Sequence, residues 1–255
     1  MDINTNEKGR LLKSEKLEEF NFIEHSFSTR DFGNQGLHVG DIKSEVLKNR
    51  SQFAKAININ PKKLVSAQQV HGVNIVRVYK EDAGKGALDY QDSIKDCDAL
   101  ITSESDIPLF AFYADCVPIF IADPVKRSIG IVHSGWKGTL NNIAGKVIDA
   151  FIEEFDSDPV GIIAVIGPHI CRDCYEVSDD IIDQMTNKGY IGSKFMKDNF
   201  LDLGEIVKNQ LEEKGLINIE LDDHCTSCNL DMFYSHRKEN GKTGRMAGII
   251  MLKGE

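Results

Sequence analysis

No apolar run approaches the roughly 18 residues that a membrane-spanning helix needs, so the 255-residue chain is not expected to cross a bilayer. Excess positive charge is missing too. Thirty Lys and Arg stand against forty Asp and Glu, a formal net charge of −10. Such a surface repels phosphate backbones and anionic lipid, which excludes nucleic acid and membranes from the expected partners. An anionic small molecule would have to be gathered by a local basic cluster. The first twenty residues lack the apolar core and small-residue cleavage site of a secretory signal. The expected location is therefore the cytoplasm, where six cysteines read as thiols or metal ligands before disulfides. Neither G-x-G-x-x-G nor a Walker A sequence occurs, which removes the commonest nucleotide-binding signatures. No repeat or low-complexity linker divides the chain. One domain over residues 1–255 is expected, with 1–20 as a polar N-terminal extension.

What is present is a mixture of short apolar strands and amphipathic helices. Residues 22–30 alternate and are rich in aromatic and β-branched side chains, as in a strand. Residues 42–57 have helical spacing, with Pro61 just beyond. Short strands are expected at 64–67, 73–78 and 99–102, and buried ones at 109–113, 118–122, 129–133 and 161–166. A helix is expected over 139–155, where Ile143, Val147, Ile148, Phe151 and Phe155 share one face. Asp202 and Glu205 form a capping-box pattern before a helix ending near Gly215, and 245–252 reads as a closing strand. The order is no clean β-α alternation, so the fold class expected is α+β, with mixed β-sheets layered with flanking helices.

Metal-type donors stand at the ends of three apolar segments: His71 in QQVHG, Cys116 in YADCVP and His133 in GIVHSGWKG. One thiolate and two imidazoles suit zinc, and three protein ligands leave a fourth position open, as catalytic sites require. The plainer alternative is a buried cysteine and two histidines satisfied by backbone. In HSGWKGT a strand passes through a glycine-flanked turn into a helix starting near Thr139, a geometry suited to binding an anion. Lys137, Gly138 and Thr139 are the candidates there, against a plain turn with a solvated lysine. Arg30, Arg237 and Arg245 could each offer a planar fork to phosphate if the fold brings them to that turn. Two C-x-x-C pairs, Cys171 with Cys174 and Cys225 with Cys228, lie much further apart than the ~15–20 residues of a zinc ribbon. Unpaired thiols are the default expectation, with a four-thiolate zinc or a redox pair as alternatives.

Nine segments in one order, FSTR, QQVHG, DALIT, ADCVPIFIADP, GIVHSGWKGT, IGPHICRDCYEV, CTSC, FYSHR and TGRMAG, resemble the laccase-domain family. That family was long labelled multicopper polyphenol oxidases and is now regarded as purine nucleoside enzymes. The match runs from about Phe22 to Leu252. The resemblance implies a zinc site on His71, Cys116 and His133. It also implies phosphorolysis of adenosine, inosine and S-methyl-5'-thioadenosine, together with deamination of adenosine. Zinc would serve deamination by activating water, with Asp115 a candidate proton carrier or a supporting residue. Lys137, the amides of its turn and Arg30 would hold phosphate.

The chain departs from the family where DFGNQGLHVGD compresses a longer glycine-rich stretch, and where His169 and Cys171 replace small residues. The H-x-E and P-C-x-x-C of cytidine-type deaminases are absent. The seven histidines contain none of the H-x-H pairs that a multicopper oxidase uses. Three other readings stay open: a cysteine hydrolase with Cys116 as nucleophile and His133 as base, an enzyme editing cell-wall precursors, and a non-enzymatic protein stabilised by zinc.

Overall fold

The computed structural model describes residues 1–254. Along the chain lie β1 (Asp2–Asn6), β2 (Gly9–Lys13), α1 (Glu15–Glu18), β3 (Ile23–Ser28), α2 (Lys43–Ala56), β4 (Val65–Ser66), β5 (Ile75–Arg77) and β6 (Ala99–Thr102). There follow β7 (Leu109–Tyr113), β8 (Val117–Asp123), β9 (Ser128–Ser134), α3 (Trp136–Leu140), α4 (Ile143–Phe155) and β10 (Ile163–Ile166). The last are α5 (Asp179–Asn187), β11 (Met196–Lys197), β12 (Phe200–Leu201), α6 (Leu203–Glu213), β13 (Asn218–Leu221) and β14 (Met246–Leu252).

Two six-stranded sheets form, ordered β1-β2-β3-β14-β7-β4 and β13-β10-β8-β9-β6-β5. Each mixes antiparallel pairs with parallel ones, β4 with β7 in the first and β5 with β6 and β10 with β13 in the second. The strands alternate between two apolar environments, which explains why they read as unbroken apolar runs. In β7, Leu109, Ala111 and Tyr113 enter the core between the sheets, while Phe110 and Phe112 pack on the other side with Phe53 of α2. In β8, Phe120 and Ala122 face between the sheets, and Ile119 and Ile121 meet Val147 and Phe151 of α4. Helix, sheet, sheet and helix layers result, clamped where the Phe27 and Phe120 rings stack at 4.0 Å. The expected α+β class is what the chain adopts.

Two local features differ from expectation. Residues 2–13 are polar and largely exposed, yet they form a hairpin that joins the first sheet, because Leu11 and Leu12 are buried there. The helix expected over 139–155 begins earlier, at Trp136, and is broken at Asn142. That residue is left-handed (φ 59°), and its side chain caps the N–H of Gly145. The expected closing strand is present as β14, and it lies inside its sheet, between β3 and β7. Of the expected capping box one half forms: Asp202 accepts the N–H of Glu205 at the start of α6, while the Asp202 N–H donates to the Phe195 carbonyl.

One buried side chain makes the fold sensitive to acid. The His25 ring is 1% exposed, its Nε2 accepts the N–H of Ser14 and its Nδ1 has no partner. Burial, with Lys13 nearby, pushes its pKa down to about 3. The unfolded chain protonates this ring near pH 6.5, so below that pH the unfolded state binds the extra proton and stability falls as pH falls. The slope from one proton is about 1.4 kcal/mol per pH unit. Urea unfolding between about pH 5.5 and 4 should therefore give a steeper loss in the native chain than in His25→Gln, by about that slope. Equal slopes would mean that the folded state protonates His25 readily.

Candidate metal centre

The chain crosses from one sheet to the other between β7 and β8, and Ala114, Asp115 and Cys116 form that crossing. His133 lies near the end of β9, directly paired with Pro118 of β8. His71 stands in the loop after β4, in the left-handed conformation at φ 61°. His71, Cys116 and His133 each present a donor atom within 4.8 Å of the others. Cys116 Sγ is 3.9 Å from His71 Nε2, and the imidazoles meet edge to face with centroids 4.9 Å apart. His133 is buried, Cys116 half-buried and His71 exposed, so the cluster is open on one side. A set of one sulfur and two ring nitrogens can hold a metal ion.

Asp98, one residue before β6, organises the cluster and is itself 2% exposed. Its carboxylate accepts the N–H groups of Val70, His71 and Gly72 at 3.2, 3.0 and 2.7 Å. It also accepts His133 Nδ1–H at 2.9 Å. Burial pushes Asp98 up, but His133 and the amides of Gly72 and His71 outweigh it and hold the group below its usual range. With Nδ1 bound to a carboxylate, Nε2 of His133 is the nitrogen left for a cation. Burial likewise raises the Cys116 thiol, but His133 and His71 more than offset it and bring it down to about 6. Burial lowers His133, and the Cys116 and Asp98 charges raise it to about 9. The pair thus tends toward thiolate beside imidazolium, an arrangement that a cation can replace.

Gly135 explains why a glycine follows His133-Ser134. A Cβ there would stand 2.6 Å from His71 Cδ2 and 3.1 Å from Cys116 Sγ, so only glycine lets the two donors approach.

The cluster forms the floor of a cavity of about 420 Å³, within the range of small-molecule sites. Among its walls are His38, Phe112, Trp136, Tyr175, Arg237 and Arg245. Burial and the nearby Arg245 and Arg50 charges push His38 down to about 4, so it is neutral at pH 7. Arg237 crosses the Tyr175 ring at 5.1 Å, and Arg245 is anchored by Nη1 to the carbonyls of Thr243 and Gly244.

The other sequence-derived candidates are placed differently. Asp115 lines the cavity, but both its oxygens are engaged, by Thr226 Oγ1–H at 2.6 Å and the Arg237 N–H at 2.8 Å. It positions Arg237. Gly138 and Thr139 are buried inside α3, where Thr139 Oγ1 meets Ser134 Oγ at 2.8 Å. Lys137 is exposed, with its ammonium 5.5 Å from the Trp136 ring centroid. Arg30 is spent on Glu239, the Leu230 carbonyl and the Tyr234 ring. None of these four is among the lining residues. Of the three arginines considered from sequence, the fold brings Arg237 and Arg245 to the cluster.

The cysteine pairs depart from the default of separate thiols. Cys171, Cys174, Cys225 and Cys228 converge, with their sulfurs within 4.8 Å of one another.

The family described as Multi-copper polyphenol oxidoreductase laccase matches residues 24–253. Purine nucleoside phosphorylase YlmD of Bacillus subtilis is 37% identical over 227 residues, covering 86% of this chain and 82% of that protein. The crystal structure of YlmD from Geobacillus stearothermophilus superposes with a TM-score of 0.86 at 31% identity, over 92% of this chain and 93% of that one. Bacillus licheniformis hypothetical protein YfiH superposes at 0.88 with 35% identity, over 95% and 96% of the two chains.

Proposed function

The chain belongs to the multi-copper polyphenol oxidoreductase laccase family, and from that premise and its cavity we propose a zinc-dependent purine nucleoside phosphorylase of the cytoplasm. The proposed reactions are phosphorolysis of adenosine, inosine and S-methyl-5'-thioadenosine, with deamination of adenosine as a second activity. The observation that carries this reading is the His71, Cys116 and His133 donor set at the floor of a cavity that also holds two arginines. The relatives named purine nucleoside phosphorylase support it.

The donor set suits zinc. Ligands at zinc's usual bond lengths stand about 3.5 Å apart in a tetrahedron, and here 3.9 Å separates Cys116 Sγ from His71 Nε2. A small inward turn of the side chains closes the difference. Zinc bound there supplies Lewis-acid chemistry to one wall of the cavity. Copper oxidase chemistry needs several histidine-rich clusters. Among the described residues, no group of potential ligands contains more than two histidines.

We assign the flat base to the space bounded by His38, Phe112, Trp136 and Tyr175, and the phosphate to Arg237 and Arg245. Lys137, exposed beside the lining residue Trp136, adds charge for approach. Chromatography of adenosine incubated with phosphate should show adenine formed in proportion to phosphate and to bound zinc. A charge-assisted hydrogen bond is worth about 1.5–3 kcal/mol, so Arg245→Ala should raise the phosphate KM roughly 10- to 100-fold. If phosphate is not consumed, or neither Arg237→Ala nor Arg245→Ala changes its KM, the assignment is wrong.

The cysteine hydrolase has one observation in its favour. Asp98, His133 and Cys116 stand in the order orienter, base and nucleophile. The His71 ring on the same sulfur is what that reading leaves unused. Alkylation separates the two, because a zinc-held thiolate is protected and a free one reacts quickly.

A further inference from the structure

We propose that Cys171, Cys174, Cys225 and Cys228 form a second metal site, a closed four-thiolate zinc site that clamps the wall of the cavity. It is independent of the His71, Cys116 and His133 cluster, and either site can fail without the other.

The backbone brings the four sulfurs together without needing a metal to do so. Strands β10 and β13 run parallel, with Ile163 opposite Asn218 and Ile166 opposite Leu221. The segments that leave the two strands therefore travel side by side. His169 bridges Cys225, and the Thr226 N–H donates to the His169 carbonyl. The pairing offset is 55 residues, and the cysteines that meet across the two segments are 54 apart. The long separation that argues against a ribbon in the sequence is thus the register of a parallel strand pair.

Each pair lies on its own tight turn. The Cys174 N–H donates to the Cys171 carbonyl, and the Asn229 N–H to the Cys225 carbonyl. The Cys171 N–H donates to Cys225 Sγ at 3.2 Å, a bond that favours a thiolate on that sulfur. Cys174 and Cys228 sulfurs stand 3.4 Å apart, a few tenths of an ångström short of the edge of a tetrahedron of sulfur ligands around zinc, which is about 3.7 Å. Four soft ligands in that arrangement select zinc or iron over harder ions, and a closed set with no open position is the structural form.

The clamp would act on the proposed active site. Ile170 and Tyr175 flank the first pair and both line the cavity. Thr226, within the second pair, donates to Asp115, and Asp115 in turn accepts the Arg237 N–H. Arg237 also donates to the Cys174 carbonyl at 3.4 Å. One ion would therefore tie together the Tyr175 and Arg237 sides of the pocket.

The test is metal counting on protein purified under reducing conditions, by inductively coupled plasma mass spectrometry. The native chain should carry two zinc equivalents. His71→Ala should carry one, and Cys174→Ser/Cys228→Ser should carry one while losing thermal stability. A cobalt(II)-loaded Cys116→Ser variant removes the thiolate of the His71 site and keeps those of Cys171, Cys174, Cys225 and Cys228, so it decides the matter even if the double serine variant fails to fold. Intense thiolate-to-cobalt absorption there supports the site. Its absence, or an intact mass two hydrogens lighter per cysteine pair without reductant and no second zinc with it, overturns the proposal.

Discussion

Cys116→Ser is expected to strip the metal from the cavity floor and to lower kcat/KM for nucleoside phosphorolysis by more than about 100-fold, beyond the usual cost of losing a residue that only supports a ligand. The substitution is nearly isosteric at a half-buried position, so the crossing between the two sheets should persist. What changes is the donor. The sulfur titrates near 6, burial being more than offset by His133 and His71, so at neutral pH a thiolate is ready for a cation. A serine hydroxyl gives no anion under those conditions. His71→Ala separates the readings, because a cysteine hydrolase does not require that ring and a three-ligand metal site does. We expect His71→Ala to lose metal and activity together, measured by metal content and by product chromatography on the same preparation. Full activity in a metal-free His71→Ala protein would rule out the metal centre as the catalytic element.

The layered α+β class was legible because its strands are buried on both faces and so read as continuous apolar runs. Leu109 to Tyr113 is one case, its residues alternating between two cores. The three donors were legible as residue types at strand ends. Their convergence rested on the resemblance, since 45 residues separate His71 from Cys116 and no local rule joins them. Asp98 was missed although it opens the DALIT segment. An acidic residue before a strand looks solvated, and its role appears only when β6 pairs with β9, Ala99 opposite Val132. Lys137 is a phosphate candidate because it sits in a glycine-flanked turn, and Arg30 because its planar fork would serve if the fold brought it to that turn. In the fold that turn winds straight into α3, and Gly135 serves to make room for His71 and Cys116. Arg237 and Arg245 reach the cavity instead because their segment runs into the central strand β14.

Asp98→Asn is the second substitution expected to have a large effect, and it acts at a distance from any substrate. The native carboxylate accepts four hydrogen bonds, from three successive backbone amides and from His133 Nδ1. Asparagine keeps one oxygen and puts an NH2 donor where the other stood, so at least one of these N–H groups faces another donor. A buried donor left unsatisfied costs about 1–3 kcal/mol, and here the loss falls on the turn that holds His71 at positive φ. The second consequence concerns His133. Without the anion at Nδ1 the ring is free to reorient, and the nitrogen offered to the cation loses basicity. Metal affinity should fall about 10- to 100-fold, read by competition with a chelator well below the melting temperature. Urea unfolding of the metal-free protein gives the stability loss separately. A residue that only braced the fold would lower stability and leave the metal dissociation constant unchanged within a factor of about two. A positioning residue moves both, and Asp98→Glu, which restores the charge but not the reach, should recover part of the affinity and little of the stability.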